Sequence, residues 1–234
     1  MTPAHSAPTK PGILVGLKAE AKFIRHIFPH AAIAASGATR TGAQREAARL
    51  AACGADCLLS FGLAAGLDPA LPAGTLIVPE AVQAWGTRYR CDPTLRHILG
   101  GTQPATLGGT LLHSDHVVLT AEEKARLFAE SGCAALDMES GFLARTAEEA
   151  GLPFAVLRVV CDPATRTLPP VAAAVLSPDG GLNIGALAGS LLRKPTQIPA
   201  LIALGRDAGK ARTAMQTFLT QQRTLRAFIR LAEG

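Results

Sequence analysis

Strand-length apolar runs, each followed closely by a helical pattern, constrain this chain more than any other feature. Ile13 to Leu17 is the first, with a helical pattern from Ala19 to about Phe28 behind it. Ala31 to Ala35 ends at Ser36-Gly37, and Thr41 to Ala52 then reads as a helix with Thr41 as its N-cap. Cys57 to Phe61 runs directly into Gly62-Leu63-Ala64-Ala65-Gly66. Thr75 to Pro79, Thr110 to His113 and Cys133 to Met138 read as strands; Ala121 to Ser131 reads as a helix. Glu139 to Ala150 is a second helix, closed by Gly151-Leu152-Pro153, and Phe154 to Val160 is the most strand-like run of all. Beyond about Asn183 only helices remain, with breaks near Pro195 and Pro199. Buried strands alternating with helices predict a mixed, mostly parallel central sheet covered on both faces, a three-layer α/β sandwich.

Residues 1–11, rich in Pro, Ser and Thr, read as a flexible leader, and residues 12–234 as one domain with a helical tail from about 185. Hydrophobic residues make up 48% and charged residues 18%, ample for a large core and incompatible with disorder over most of the chain. No run reaches the length of a signal peptide or a membrane span, so a cytoplasmic location is expected. Cys53, Cys57, Cys91, Cys133 and Cys161 are odd in number, lie in apolar contexts and form no CxxC pair, which favours reduced core thiols. Much of the +5 net charge falls in the last forty-odd residues, including Arg193, Lys194, Arg206, Lys210, Arg212, Arg223, Arg226 and Arg230. A solvated helix face is the plainer account of them; peripheral contact with anionic lipid headgroups is the sharper one.

In folds of this class, ligands sit at the carboxyl ends of the strands. Three carboxylates follow apolar runs directly: Glu20, Glu139 and Asp162. One such acid is usually a cap or an ion-pair partner, whereas three around one sheet edge point to acid-base work. The glycine segment Ser60 to Pro69 is neither GxGxxG nor a Walker motif, which leaves dinucleotide and Walker-type sites unsupported. His113-Ser114-Asp115-His116 lacks further ligands at zinc spacing and reads as a loop with two ordinary histidines. Arg40 and Arg45 suit either phosphate or solvent. One Trp and one Tyr offer too little surface to stack nucleic acid.

Three segments occur in register: LLSFGLAAGLDPALPAGTLIVP (Leu58 to Pro79), ALDMESGFLA (Ala135 to Ala144) and FAVLRVVCDPA (Phe154 to Ala164). Together they resemble the nucleoside phosphorylase superfamily, and most closely its methylthioadenosine/S-adenosylhomocysteine nucleosidase branch. There, one strand ends in Met-Glu and the next in Arg-x-x-Ser-Asp; here those places hold Met138-Glu139 and Arg158-Val-Val-Cys161-Asp162. The resemblance implies cleavage of the N-ribosidic bond of an adenine nucleoside, with Asp162 as general acid toward the purine N7. It further implies Glu20 orienting the nucleophile, Glu139 gripping the ribosyl hydroxyls, Met138 lining the sugar, and Ala64 and Ala65 bordering the nucleophile. No cofactor is implied, although phosphate could serve as co-substrate, and a homodimer is expected.

Departures from that branch sharpen the reading. Leu63-Ala64-Ala65-Gly66 stands where the family usually reads Ser-Ala-Gly-Gly, Val117 where it places a base-packing Phe, and Cys161 where it places Ser beside the acid. With the tail from Leu191 to Thr213, these features resemble the hopanoid-associated phosphorylases, which implies adenosylhopane, a nucleoside with a large apolar 5′ group, as substrate. An ordinary methylthioadenosine/S-adenosylhomocysteine nucleosidase and a non-catalytic nucleoside-binding protein are the alternatives.

Overall fold

The computed structural model describes residues 10–169, 198–222, 225 and 227–229. The elements run β1 (Pro11–Val15), α1 (Lys18–Ile27), β2 (Ala32–Ala35), α2 (Arg40–Ala52), β3 (Cys57–Gly66), β4 (Leu76–Ile77), β5 (Ala81–Ala84) and β6 (Thr87–Arg90). They continue with α3 (Pro93–Ile98), β7 (Thr106–Leu107), β8 (Thr110–His113), α4 (Ala121–Ser131), β9 (Ala135–Asp137), α5 (Ser140–Ala150), β10 (Phe154–Asp162) and α6 (Ile198–Gln221). Among the described residues the strands form one sheet in the order β6-β5-β8-β9-β3-β10-β4-β7, with β1 also on β3 and β2 outside β1. The expected mixed α/β sandwich is the architecture found.

Period-2 alternation sends successive strand residues to opposite faces. Ile13, Val15, Leu59, Phe61, Leu157 and Val159 enter one core with Ile24 and Phe28 from the α1 side and Ala211, Met215, Phe218 and Leu219 of α6. Leu14, Leu58, Val156 and Val160 enter the other with Ala47 and Leu50 of α2 and Leu143, Ala144 and Ala147 of α5. The helices stop where their sequences stop them: Gly132 and Gly151 follow α4 and α5 in the left-handed conformation, each at φ 65°.

Several local readings change. The α2 N-cap is Thr39, not Thr41: the Gly42 N–H donates to Thr39 Oγ1 at 3.1 Å, after a turn through Gly37 and Ala38 at positive φ. β3 continues past Phe61 to Gly66 because β10 pairs with it through Ala65 and β9 supplies a further partner for Ala65 and Gly66. Pro199 sits in the first turn of α6, which starts at Ile198, where its missing N–H leaves no helical bond unmade; Pro195 lies outside the described residues. The β5–β6 hairpin turns on Trp85-Gly86, both at positive φ, and lacks the usual Asn-Gly signature. Pro11 opens β1, although the leader was expected to include it; the rest of the leader up to residue 9 and the start of the tail, 185–197, lie outside the described residues. Cys53 is exposed at the end of α2 rather than in the core.

Candidate active site

β3 changes neighbour midway along its length, and this creates the crevice. From Cys57 to Phe61 it pairs with parallel β1; at Ala65 and Gly66 the same edge pairs with antiparallel β9. β1 and β9 therefore end facing one another beside Gly62. A strand end on each side delivers one carboxylate: Glu20 from the first turn of α1, and Glu139 from the residue before α5. A Cβ built on Gly16 would stand 3.3 Å from Glu20 Oε2 and 3.4 Å from Glu139 Oε1, so both acids close on one point.

The third member is Arg158, whose position in β10 breaks an otherwise apolar face between Val156 and Val160. It is fully buried. Its register partner is Gly62, and only the missing side chain there lets the guanidinium cross β3: a Cβ on Gly62 would lie 2.9 Å from Nη1. Arg158 Nε donates to Asp137 Oδ2 at 2.5 Å, and Nη2 donates to Ser60 Oγ at 2.7 Å and Ser140 Oγ at 3.1 Å. Ser140 also donates to Asp137 through both its hydroxyl and its N–H. Arg158 Nη2 stands 3.6 Å from Glu139 Oε2, while Nη1 has no hydrogen-bond partner among the described residues.

Burial dominates the electrostatics. It pushes Glu139 well above the usual carboxylate range, with Asp137 and Glu20 adding like-charge repulsion and Arg158 opposing them. Glu20 is raised for the same first reason, against the Leu17 N–H that donates to its Oε2 at 2.8 Å and against Arg158. Ser36 Oγ lies 3.4 Å from Glu139 Oε1 as a donor. Both acids are thus held near a cation without being saturated by it.

Asp162 lies farther along the sheet, opposite Ala65 of β3 after a bulge between Val160 and Asp162. Three residue steps on β3 separate Ala65 from Gly62, roughly 10 Å, comparable with the length of a nucleoside. Asp162 is buried; its Oδ2 accepts from Lys124 Nζ at 2.6 Å, and its Oδ1 has no partner among the described residues. Burial raises this carboxyl above its ordinary range despite the opposing ammonium. Lys124, in the middle of a charged helical pattern, gave no sequence signal. Cys161, expected in place of the serine that supports the acid, is half-buried against the α6-side core, its thiol pushed up to about 12 by burial.

The remaining expected residues are more dispersed. Met138 and Val117 are half-buried. Ala64 packs in the core against the α2 and α5 side, and Ala65 lies half-buried beside the cluster of Leu67, Val118, Cys133 and Leu136. His113 is no loop histidine: it ends β8, buried between Trp85 and Phe142 with ring centroids 4.8 and 4.9 Å away. Arg45 pairs with Glu46 at 2.9 Å, and Arg40 lies 3.6 Å from Asp115 on the surface.

Solved structures share this fold. The methylthioadenosine/S-adenosylhomocysteine nucleosidase of Neisseria meningitidis, in complex with methylthio-immucillin-A, superposes with a TM-score of 0.65 at 17% identity, covering 90% of this chain and 97% of that one. The corresponding Helicobacter pylori nucleosidase reaches 0.68 at 16% identity, covering 93% and 98%. A futalosine hydrolase mutant of Helicobacter pylori reaches 0.57 at 19%, covering 65% and 89%. Comparison with curated protein sequences yields no match. At the level of sequence families the kinship is direct: the chain belongs to the phosphorylase superfamily, whose family model matches residues 18–174.

Proposed function

We propose that this protein hydrolyses the N-ribosidic bond of an adenine nucleoside. The observation that carries the reading is the convergence of Glu20 and Glu139 at Gly16 beside Arg158, with the unpartnered Asp162 Oδ1 farther along the same strand. Glu139, as carboxylate, accepts the ribosyl hydroxyls, a contact that tightens as positive charge builds on the ribose. Asp162 donates its proton to N7 while the N9–C1′ electron pair leaves with the base. Water held by Glu20 adds to C1′ and gives its proton to that carboxylate; solvent then restores both groups. Water is favoured over phosphate by charge. Glu20 and Glu139 face the crevice; Arg158 beside them is already paired with Asp137, and Arg212, which also acts on Glu20, is exposed on α6. A phosphate dianion there would meet two carboxylates.

The substrate's 5′ group is read as large and apolar. Leu63, Val117 and Cys161 stand where the family resemblance has polar or aromatic groups, and adenosylhopane, yielding ribosylhopane and adenine, is the finer reading. A lipid substrate would also give a use to the exposed Arg206, Lys210 and Arg212 of α6 near anionic headgroups.

The test is adenine release from adenosylhopane in detergent and from methylthioadenosine, each with and without phosphate. Phosphate-independent release from adenosylhopane is expected. Release from methylthioadenosine alone would make the chain an ordinary thioether nucleosidase, and phosphate dependence would replace hydrolysis by phosphorolysis. Release from neither, with an active control enzyme, would favour a binding protein. Asp162→Asn is expected to lower turnover by about 10²–10⁴-fold. The rate should be bell-shaped in pH. Activity falls toward acid as Glu20 and Glu139 gain protons at their raised pKa values, and toward base as Asp162 loses its own.

A further inference from the structure

Lys124 occupies an unfavourable place for a cation. It lies in the first turn of α4, where the helix dipole repels positive charge, and Thr120 caps that turn by accepting from the Glu123 N–H at 3.1 Å. Glu122 and Glu123 suit the position; Lys124 does not. Among the described residues of α4, it alone is buried, with no exposed surface at all. Its ammonium is directed onto three acceptors: Asp162 Oδ2 at 2.6 Å, the Arg166 carbonyl at 2.9 Å and the Pro163 carbonyl at 3.2 Å. Burying an ammonium against a helix N-terminus is costly, and an apolar side chain would fill the space without that cost. The two carbonyls fix the ammonium, and the ammonium fixes one oxygen of Asp162, leaving Oδ1 as the oxygen free to meet a base.

We infer that Lys124 is the positioning residue of the leaving-group acid, orienting Asp162 and stabilising the carboxylate that forms there when its proton passes to the base. In that step the O–H bond of Asp162 breaks, an N7–H bond forms, and the negative charge left on the carboxylate develops against the Lys124 ammonium. Burial raises the Asp162 carboxyl and so favours its protonated form; Lys124 opposes that shift and keeps the acid strong enough to release its proton. The other charged and titratable groups facing Asp162 are few. Arg166 follows it in the chain and pairs with Asp207 of α6, and Cys161 precedes it on β10. The Arg166–Asp207 pair neutralises itself, which leaves Lys124 as the cation in contact.

This inference rests on the reading of Asp162 as the N7 acid, and the experiment separates the two. Wild type and Asp162→Asn are assayed first for adenine release, on whichever of adenosylhopane or methylthioadenosine the wild type cleaves. Lack of release by the wild type, or full activity in the Asn variant, defeats the reading of Asp162 itself. With that secured, the pH profile of kcat/KM is measured for K124Q and K124R. Glutamine keeps donors for the carbonyls but removes the charge. It should lower kcat about tenfold or more and move the basic limb upward by about one pH unit, since an adjacent cation depresses a carboxyl by about 1–3 units. K124R, which keeps the charge, should hold the limb near its wild-type position. A K124Q limb superimposed on that of wild type would overturn the inference. Loss of cooperative thermal unfolding in both variants would do the same, by making Lys124 a structural residue only.

Discussion

Two buried carboxylates sit on the same sheet, each against a buried cation, and they could hardly be treated more differently. Asp137 is engaged at both oxygens: the Ser140 N–H, the Ser140 hydroxyl and Arg158 Nε all donate to it. Asp162 receives one hydrogen bond, from Lys124, and its other oxygen has no partner among the described residues. A buried carboxylate with both oxygens engaged is a brace that holds an arginine in place. One left half-engaged bears a cost in the free protein that a ligand can relieve. Burial alone would not have told them apart, because both are almost completely enclosed.

The sharpest way to break this contrast is Asp137→Asn. It leaves Arg158 buried without its nearest counter-ion and is expected to cost roughly 3–5 kcal/mol in urea unfolding. Asp162→Asn also takes a carboxylate from a buried cation, but Lys124 keeps the amide oxygen and two backbone carbonyls, so its cost should be smaller, about 1–3 kcal/mol. Equal losses in the two variants would end the distinction between brace and acid. Next in size is Gly62→Ala. The new methyl would meet Arg158 Nη1 at 2.9 Å, displace the guanidinium and cost about 1–3 kcal/mol, with a loss of turnover as Glu139 loses its neighbour. Unchanged stability and rate would mean that the arginine has slack.

The smallest effect has the opposite sign. Glu20 has a folded pKa raised by burial, so the protein is more stable with it protonated, and that stability is lost as pH rises through the raised value. Glu20→Gln should therefore raise Tm at pH 8 by a few degrees at most, while adenine release falls. A lower Tm would place Glu20 among the braces, beside Asp137.

How much of this was legible in the sequence varies from residue to residue. Glu20, Glu139 and Asp162 were legible because each follows an apolar run and so had to lie at a strand end. The two strand ends that bring Glu20 and Glu139 together at Gly16 were each visible; their convergence was not. The hairpin through Trp85 was missed because its turn uses a tryptophan at positive φ. That tryptophan is held by an indole N–H donated to Asp115 at 3.0 Å and by Arg145 stacked 4.5 Å over the ring. Lys124 was missed for a deeper reason: in Ala121-Glu122-Glu123-Lys124 it is indistinguishable from a solvated helix face.

What the sequence by itself determined was local: where strands and helices run, most of where they stop, and which acids close a strand. Periodicity and backbone hydrogen bonding act over a few residues, so a few residues suffice to read them. Only the tertiary structure decided which charges are partners, because the cost of a buried charge depends on what else is buried beside it. Lys124 meets Asp162 across 38 positions and Arg158 meets Asp137 across 21. In both pairs the fold supplies a low-dielectric setting in which a single missing partner decides between a brace and a carboxyl left open to a ligand.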